Sequence, residues 1–373
     1  MSTTTELGPL VRRWGLPVKQ LPSATASPDE LKAFFASILK EALPFIDSAA
    51  PKTSPDAKKL WKSKGAKSSS DSDAKVDVLE RRISAKELQA IASKHGIKAD
   101  TDEETWATRL SVHEDAAKKG TASWDEFEHS FRLEHAKTEM AFTPNVIAAN
   151  EAQRWDCAGI ELEEGGQLWD RFQFVVEEMR HKIGRPFLKD RTFPVLQVSC
   201  AVKEGTGAPE FVVVSIPVPD FGTSDKASLS KEKGAQTAFY VSIERIRKLE
   251  NGKIEWLLGT ASDAAGILPL WIQDIALLDI VWKDVPMFLS WIAKERGKSD
   301  GKATTAADPD AKKETEQQPQ VTTGVATDTT QAVTGPDAHG TVPEAAADGE
   351  PSKAAEEPRV ETAAEATDGN AKA

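Results

Sequence analysis

The chain has 373 residues, 39% of them hydrophobic, and a formal net charge of -12 at pH 7. Residues 301–373 contain no aromatic residue and no Leu, Ile or Met, too little apolar surface to offset the entropy of ordering them. This segment carries 14 Asp and Glu against 6 Lys and Arg, so it accounts for -8 of the charge; the remainder, at -4, lacks the basic face that nucleic-acid binding requires.

The opening MSTTTELG has neither the basic nor the apolar region of a secretory signal, and no uncharged apolar run approaches the ~20 residues of a membrane helix. With Cys157 and Cys200 as the only cysteines, the expectation is a cytosolic, monomeric protein with two reduced thiols. Residues 1–26 read as a leader, 27–296 as one folded domain, and 297–373 as a disordered acidic tail rich in Ala, Thr and Glu.

The first element is announced by Ser27-Pro28-Asp29-Glu30, which combines an N-cap Ser, Pro at the first helical position and a capping-box Glu. Leu31, Phe34, Phe35, Ile38, Leu39 and Ala42 recur at helical spacing, and Pro44 is expected to end the helix. From about 47 to 76 the composition turns to Ser, Lys, Asp, Ala and Pro and reads as a flexible insert. Ser84 and Glu87 form a second capping box, opening a short helix that ends near Gly96. Over 105–113 Trp106, Thr108, Leu110 and Val112 alternate with Ala107, Arg109, Ser111 and His113, the pattern of a strand. Ser123 and Glu126 form a third capping box, ahead of Trp124, Phe127 and Phe131.

Strands are predicted over 168–179, 193–202, 211–218, 236–247 and 253–261, with turns at Glu204-Gly205-Thr206-Gly207 and Glu250-Asn251-Gly252-Lys253. The connections are too short for crossover helices, so the sheet is antiparallel. After Gly266 the pattern is helical to Arg296. The resulting class is α+β, a curved antiparallel sheet whose apolar concave face is covered by one long C-terminal helix, with an internal cavity between them.

The run GRPFLKDRTFPVL (184–196), then FVVVSIPVP (211–219), then GTASDAAGILPLWIQDIALLDIVWKDVPMFLSWI (259–292) resembles the START-like (StAR-related lipid-transfer) superfamily. Its "D-x-x-G-x-L-P-x-W" stretch appears here as Asp263, Gly266, Leu268, Pro269 and Trp271. WATRLSVHED (106–115) and GTASWDEFEHSF (120–131) look like a fungal branch of that superfamily of unassigned function. One departure is that the Arg-Asp pair of START domains is Arg191-Thr192 here, with Asp190 before the Arg. The resemblance spans about 27–296 and implies a helix-grip fold that binds, and in part of the superfamily transfers, a hydrophobic ligand without catalysis. Related helix-grip proteins include cyclases and hydrolases, so a small-molecule enzyme is the alternative, and a regulatory scaffold the third.

On this reading the cavity is lined by Trp106, Arg109, Leu110 and His113 of the first predicted strand, and by Phe172, Phe174, Val198, Val213 and Trp256 of the meander. Trp271, Ile275 and Phe288 of the closing helix complete it. Arg109, Ser111 and His113 share a strand face that is either solvated or the polar end of a pocket that grips a headgroup. His129 and His135 fall on different helical faces, no H-E-x-x-H or C-x-x-C occurs, and no metal or cofactor is expected. Glu177 and Glu178 point to opposite strand faces, an arrangement unsuited to paired acid–base chemistry. In the segment 181–191 the apolar Phe187 and Leu188, beside Arg185, Pro186 and Lys189, have the composition of a loop tip that docks on an anionic membrane, a transient peripheral contact. START domains place the corresponding loop at the cavity mouth.

Overall fold

The structure is a computed structural model that describes residues 7–50, 60–98, 102–182, 189–234, 236–263 and 277–304. Helix α1 (Pro28–Asp47) starts as its capping box dictates: Ser27 Oγ accepts from the Glu30 amide and the Glu30 carboxylate accepts from the Ser27 amide at 2.7 Å. It runs three residues past Pro44. Pro44 forfeits one helical hydrogen bond, to the exposed Lys40, whereas Phe45 and Ile46 beyond it are buried, with Phe45 4.5 Å from the Trp106 ring. Burial of two large apolar side chains outweighs one lost bond.

Helix α2 (Ala85–Lys94) also begins at its predicted capping box and stops before Gly96, whose φ of +66° ends the helix. Eleven strands form one sheet: β1 (Lys62–Lys67), β2 (Val76–Ile83), β3 (Glu104–His113), β4 (Val146–Arg154), β5 (Leu162–Glu164), β6 (Gln167–His181), β7 (Arg191–Val202), β8 (Glu210–Pro217), β9 (Gln236–Thr237), β10 (Phe239–Lys248) and β11 (Ile254–Asp263). The order is β1-β2-β3-β11-β10-β8-β7-β6-β4, antiparallel throughout except for the two-residue pairing of β9 with β7. The strands predicted for the meander are β6 to β8, β10 and β11, and Gly252 takes φ +77° in the predicted β10–β11 turn.

Three expectations are corrected. Residues 62–67, inside the expected flexible insert of about 47–76, pair with 76–83 as the edge hairpin β1–β2, and residues of the expected leader join the core through the buried Val11 and Leu16. The sheet also has two covered faces, not one. On one, α1 packs Leu31, Phe35, Ile38 and Leu39 over Val198, Val212, Val214, Val241 and Leu257. Gly259 lies under this helix, and a side chain there would press on Ile46 Cδ1 at 3.3 Å.

The other face is covered by α3 (Trp124–Glu128), a π-helical turn (His129–Leu133), α4 (His135–Phe142) and the C-terminal helix α5 (Asp284–Thr304), preceded by a short 3-10 turn (Val281–Lys283). The continuous helix expected from Gly266 is therefore interrupted at 281–283, and residues 264–276 lie outside the described residues. Among the described residues no helix is long and apolar enough to cross a membrane.

Phe35 is fully buried and stacks on Phe172 at 4.8 Å, with Phe174 edge-on at 5.2 Å. Phe35→Ala is expected to lower unfolding stability by about 3–5 kcal/mol in urea titration; a loss below about 1 kcal/mol would show that α1 is not integral to the core.

Candidate functional site

Strand register sorts the helix-covered face into rows running across the sheet. The row Ser111–Trp256–Ile246–Phe211–Ala201 supports a solid aromatic plug. There Phe131 lies 4.7 Å from both the Trp256 and Phe288 rings, and Phe127 5.3 Å from Trp256. The next row is Arg109–Leu258–Glu244–Val213–Ser199, and beyond it comes Ala107–Thr260–Ser242–Ser215–Gln197. This last row crosses five strands with small or polar side chains only.

Arg109 organises the second row. Its guanidinium carbon sits 3.9 Å above the Trp256 ring centroid, Nη2 donates to Glu244 Oε1 at 3.2 Å, and Nε lies 3.5 Å from Asp284 Oδ2 at the start of α5. Trp256 Nε1 also donates to Glu244 Oε1, at 2.6 Å. Arg109 Nη1 is buried without a hydrogen-bond partner. From the helical layer, α4 contributes His135 and Glu139. Gln197 Nε2 donates to His135 Nδ1 at 3.2 Å, which leaves the ring proton on Nε2, 3.9 Å from Glu244 Oε2. Glu139 Oε2 is 3.9 Å from His135 Nδ1. Glu177, two rows further across on β6, is buried, and its Oε2 has no hydrogen-bond partner. Tyr240 stands at the same end of the face, its ring 5.6 Å from Phe193.

Two short features fix the helical layer over this face. Glu126 of the α3 capping box receives both Arg296 Nε at 2.5 Å and Nη2 at 2.6 Å, tying α5 to α3 in a bidentate ion pair. The π-helical turn then offsets α4 from α3 so that His135, its first residue, meets Gln197.

Enclosure and mutual repulsion keep these carboxyls protonated above their usual range. Burial, then the charges of Asp284, Glu244 and Glu177, push Glu139 up to about 8. Burial and then Glu151 push Glu177 up to about 7. Burial raises Asp284 to about 6, with Arg109 opposing and Glu244 adding, and burial raises Glu244 against the pull of Arg109 and Trp256. Tyr240 is raised by burial and then by Glu139 and Glu177. Burial lowers His135 to about 4, so the ring is neutral. Yet the side chains of Glu139 and Asp284 remain 28% and 33% exposed. They are surrounded by protein yet partly accessible to solvent.

Of the residues expected to line one cavity, Arg109 alone among the described ones belongs to this cluster. His113 is buried in the plug, bonded to Ser111 Oγ at 2.8 Å beneath Phe127 and Trp256, and lowered to about 4 by burial and then by Arg109. Neither Ser111 nor His113 is solvated or open to a ligand. Trp256, Val213 and Phe288 also belong to the plug. Trp106, Leu110, Phe172, Phe174 and Val198 lie on the opposite face under α1. The expected set thus divides between the two faces, because both are apolar and alternation alone does not say which is which. Trp271 and Ile275 lie outside the described residues, as do Arg185, Pro186, Phe187 and Leu188; Lys189 is exposed.

His135 was weighed in the sequence only as a metal ligand, and Glu139, Gln197, Ser215, Tyr240, Glu244 and Asp284 were not singled out, though Glu244 carried a signal as a charge in the middle of the apolar strand FYVSIERIRK. Glu177 and Glu178 do face opposite ways, and their roles differ. Glu178 accepts from the amides of Ser228, Leu229 and Ser230 at 2.7–3.0 Å and anchors that loop, whereas Glu177 belongs to the cluster.

Residues 106–292 match the family described as "Protein of unknown function (DUF3074)", and the chain belongs to that family. No curated protein sequence matches. Solved structures that the fold is similar to include human STARD10, at 11% identity over 71% of this chain and 84% of that one, with a TM-score of 0.45. Human StAR-related lipid transfer protein 5 is similar at 10% identity, over 72% and 99% of the two chains, TM-score 0.42, and the human StarD13 (DLC2) lipid transfer and protein localization domain at 14%, over 68% and 96%, TM-score 0.38. The expected α+β architecture is the one observed: a large antiparallel sheet closed by a C-terminal helix.

Two measurements test the cluster. Arg109→Met leaves Glu244 enclosed without its cation and is expected to cost about 3–5 kcal/mol in stability. The carboxyls also set a pH dependence. A carboxyl raised in the fold binds more protons folded than unfolded, so stability falls as pH rises towards the folded value. His113, His135 and His181, lowered to about 4, act in the opposite sense but only below their ordinary value of 6.5. Between about pH 6.5 and 8 the Glu139 and Glu177 contributions remain. The thermal midpoint is expected to fall across this window, and Glu139→Gln to flatten the slope; an identical slope in the variant would remove Glu139 from the cluster.

Proposed function

We propose that the chain binds an apolar or amphipathic ligand, such as a lipid, between the helix-covered face of the sheet and its helices, without turning it over. The ligand's polar end rests at Arg109, Glu139, Glu244 and Asp284, and its apolar part runs towards the Tyr240 and Phe193 rings. The observation that supports this reading is the row Ala107–Thr260–Ser242–Ser215–Gln197, small or polar on all five strands, faced by Glu139 and Asp284, whose side chains are enclosed yet partly exposed. Apolar ligands are held in sites of this composition, mostly nonpolar walls with a few convergent polar groups. Native mass spectrometry of the purified protein is expected to show a co-purifying mass, and extraction to identify it as apolar or amphipathic. Replacing Ser242 and Ser215 by Leu fills the row and is expected to abolish that mass while the protein stays folded; retention of the ligand would displace it from this face.

A second reading is favoured by the raised Glu139 beside Tyr240 and neutral His135, a set of groups suited to proton transfer in a small-molecule enzyme. The recovered ligand decides between them: it is expected to be chemically unchanged after prolonged incubation with fresh protein, whereas conversion that Glu139→Gln abolishes would establish an enzyme.

Transfer between membranes is the finer form of the first reading and rests on the sequence of residues 185–189. Phe187→Glu is expected to weaken co-sedimentation with anionic liposomes at least about tenfold, since burying a Phe contributes roughly 1.5–3 kcal/mol, and to leave thermal unfolding unchanged. Unchanged sedimentation would show that this segment does not dock.

A further inference from the structure

We infer that the loop between β8 and β9 is a docking surface for anionic membranes, its Lys226, Lys231 and Lys233 meeting Lys182 and Lys189 at one end of the sheet. This adds a second loop to the membrane contact proposed for residues 185–189, and the two contacts can fail separately.

Strand register brings these lysines together. Val146, His181, Arg191 and Gln236 pair in one row across β4, β6, β7 and β9. Lys182, Lys189 and Lys233 follow or precede members of that row by one to three residues, at most about 11 Å of extended chain. Two side chains of β6 hold the rest of the loop against the same strand end. Glu178, fully buried, accepts from the amides of Ser228, Leu229 and Ser230 at 2.7–3.0 Å, and Arg180 donates to Leu229 O at 2.7 Å and pairs with Glu232. Burying a carboxylate is costly, and here it secures the 3-10 turn Leu229–Lys231 of an exposed, polar loop. The loop is thus fixed to the sheet with its lysines displayed beside those of β6 and β7.

Charge names the partner. All five lysines are exposed, and among the described residues none of them is ion-paired. The acids at this end are Asp190, which is half-buried, Asp225, and Glu232, which Arg180 already engages. In a chain of formal charge -12, such a gathering of unpaired cations runs against the composition. Ile147, 44% exposed, adjoins Val146 of the same row and sets an aliphatic side chain beside the lysines. Cations around an exposed aliphatic group match the anionic headgroups and acyl boundary of a bilayer. A nucleic-acid duplex offers phosphates but nothing for Ile147, and the acidic remainder of the chain opposes a more extended polyanion contact.

The test is co-sedimentation of the full-length protein with vesicles of phosphatidylcholine alone and of phosphatidylcholine mixed with phosphatidylserine. The mixed vesicles are expected to bind the protein and the neutral ones to bind it weakly. Each Lys at an anionic surface contributes about fivefold in affinity, so the loop variant Lys226→Gln, Lys231→Gln, Lys233→Gln is expected to bind the mixed vesicles about a hundredfold more weakly. The hairpin variant Lys62→Gln, Lys67→Gln, Lys75→Gln removes the same charge at the opposite edge of the sheet and is expected to bind as the parent does. Thermal unfolding and any co-purifying mass are expected to be unchanged in both variants, which separates docking from folding and from ligand binding. Undiminished binding by the loop variant would overturn the inference, and if Phe187→Glu fails beside it, docking is confined to residues 185–189. An equal loss in the hairpin variant would reduce the effect to net charge and overturn it too. A parent protein that binds both vesicles alike, or neither, would overturn it and leave the reading of a ligand beneath the helices standing. Displacement from the mixed vesicles by a short DNA duplex at equal phosphate concentration would assign the lysines to nucleic acid and likewise overturn it.

Discussion

The guanidinium of Arg109 is the point on which the helix-covered half of the molecule is arranged. A charge withdrawn from water in the middle of a sheet is tolerable only when partners surround it. Here those partners come from separate elements: Glu244 from β10, Trp256 from β11 and Asp284 from the first turn of α5. Each partner is then constrained in turn. Glu244 also accepts from Trp256, and Trp256 is the floor of the plug formed with Phe127, Phe131 and Phe288. One ion pair therefore fixes the height at which α5 crosses the sheet, and Arg296 with Glu126 fixes its far end.

Between those two fixings the sheet changes character within two rows. Below Arg109 the side chains are large and aromatic and fill the space. Above it they are Ala, Thr, Ser and Gln, and Gln197 alone of these polar side chains is bonded to the helical layer among the described residues, at His135. This face carries a row of small and polar side chains under partly accessible carboxyls, whereas the α1 face packs Phe35, Ile38 and Leu39 over valines and leucines. One face stabilises the fold while the other holds enclosed polar groups whose burial is costly, a division expected of a binding site.

The carboxyls also explain why such an arrangement survives without a compensating cation from the protein. Protonation is the cheaper response: an enclosed acid shifts its titration before it keeps an unpaired charge. Glu139 and Glu177 do so, whereas Glu244, held by Arg109 and Trp256, has partners on one oxygen.

The elements whose signals are local were legible in the amino-acid sequence: three capping boxes at Ser27, Ser84 and Ser123, the hairpin turn at Gly252, and the alternating meander strands, all of them short-range consequences of backbone hydrogen bonding and side-chain period. The polar edge strand β4, VIAANEAQR, and the Lys- and Ser-rich β1 carry no such period, since an edge strand need not bury a face. Pro44 was a strong local stop that two buried residues beyond it overrode. The candidate site was least legible. Arg109 stood out as a charge within an apolar strand, but Glu139 sits on a helix with little amphipathic pattern and Asp284 and Glu177 look like ordinary surface acids. What the sequence by itself determined was the capped helices, the meander strands and their antiparallel, helix-covered class. Which of two apolar faces each strand residue joins, and which distant acids meet Arg109, depended on α1 taking one side of the sheet and α3 to α5 the other, a choice made by packing between segments more than a hundred residues apart in sequence.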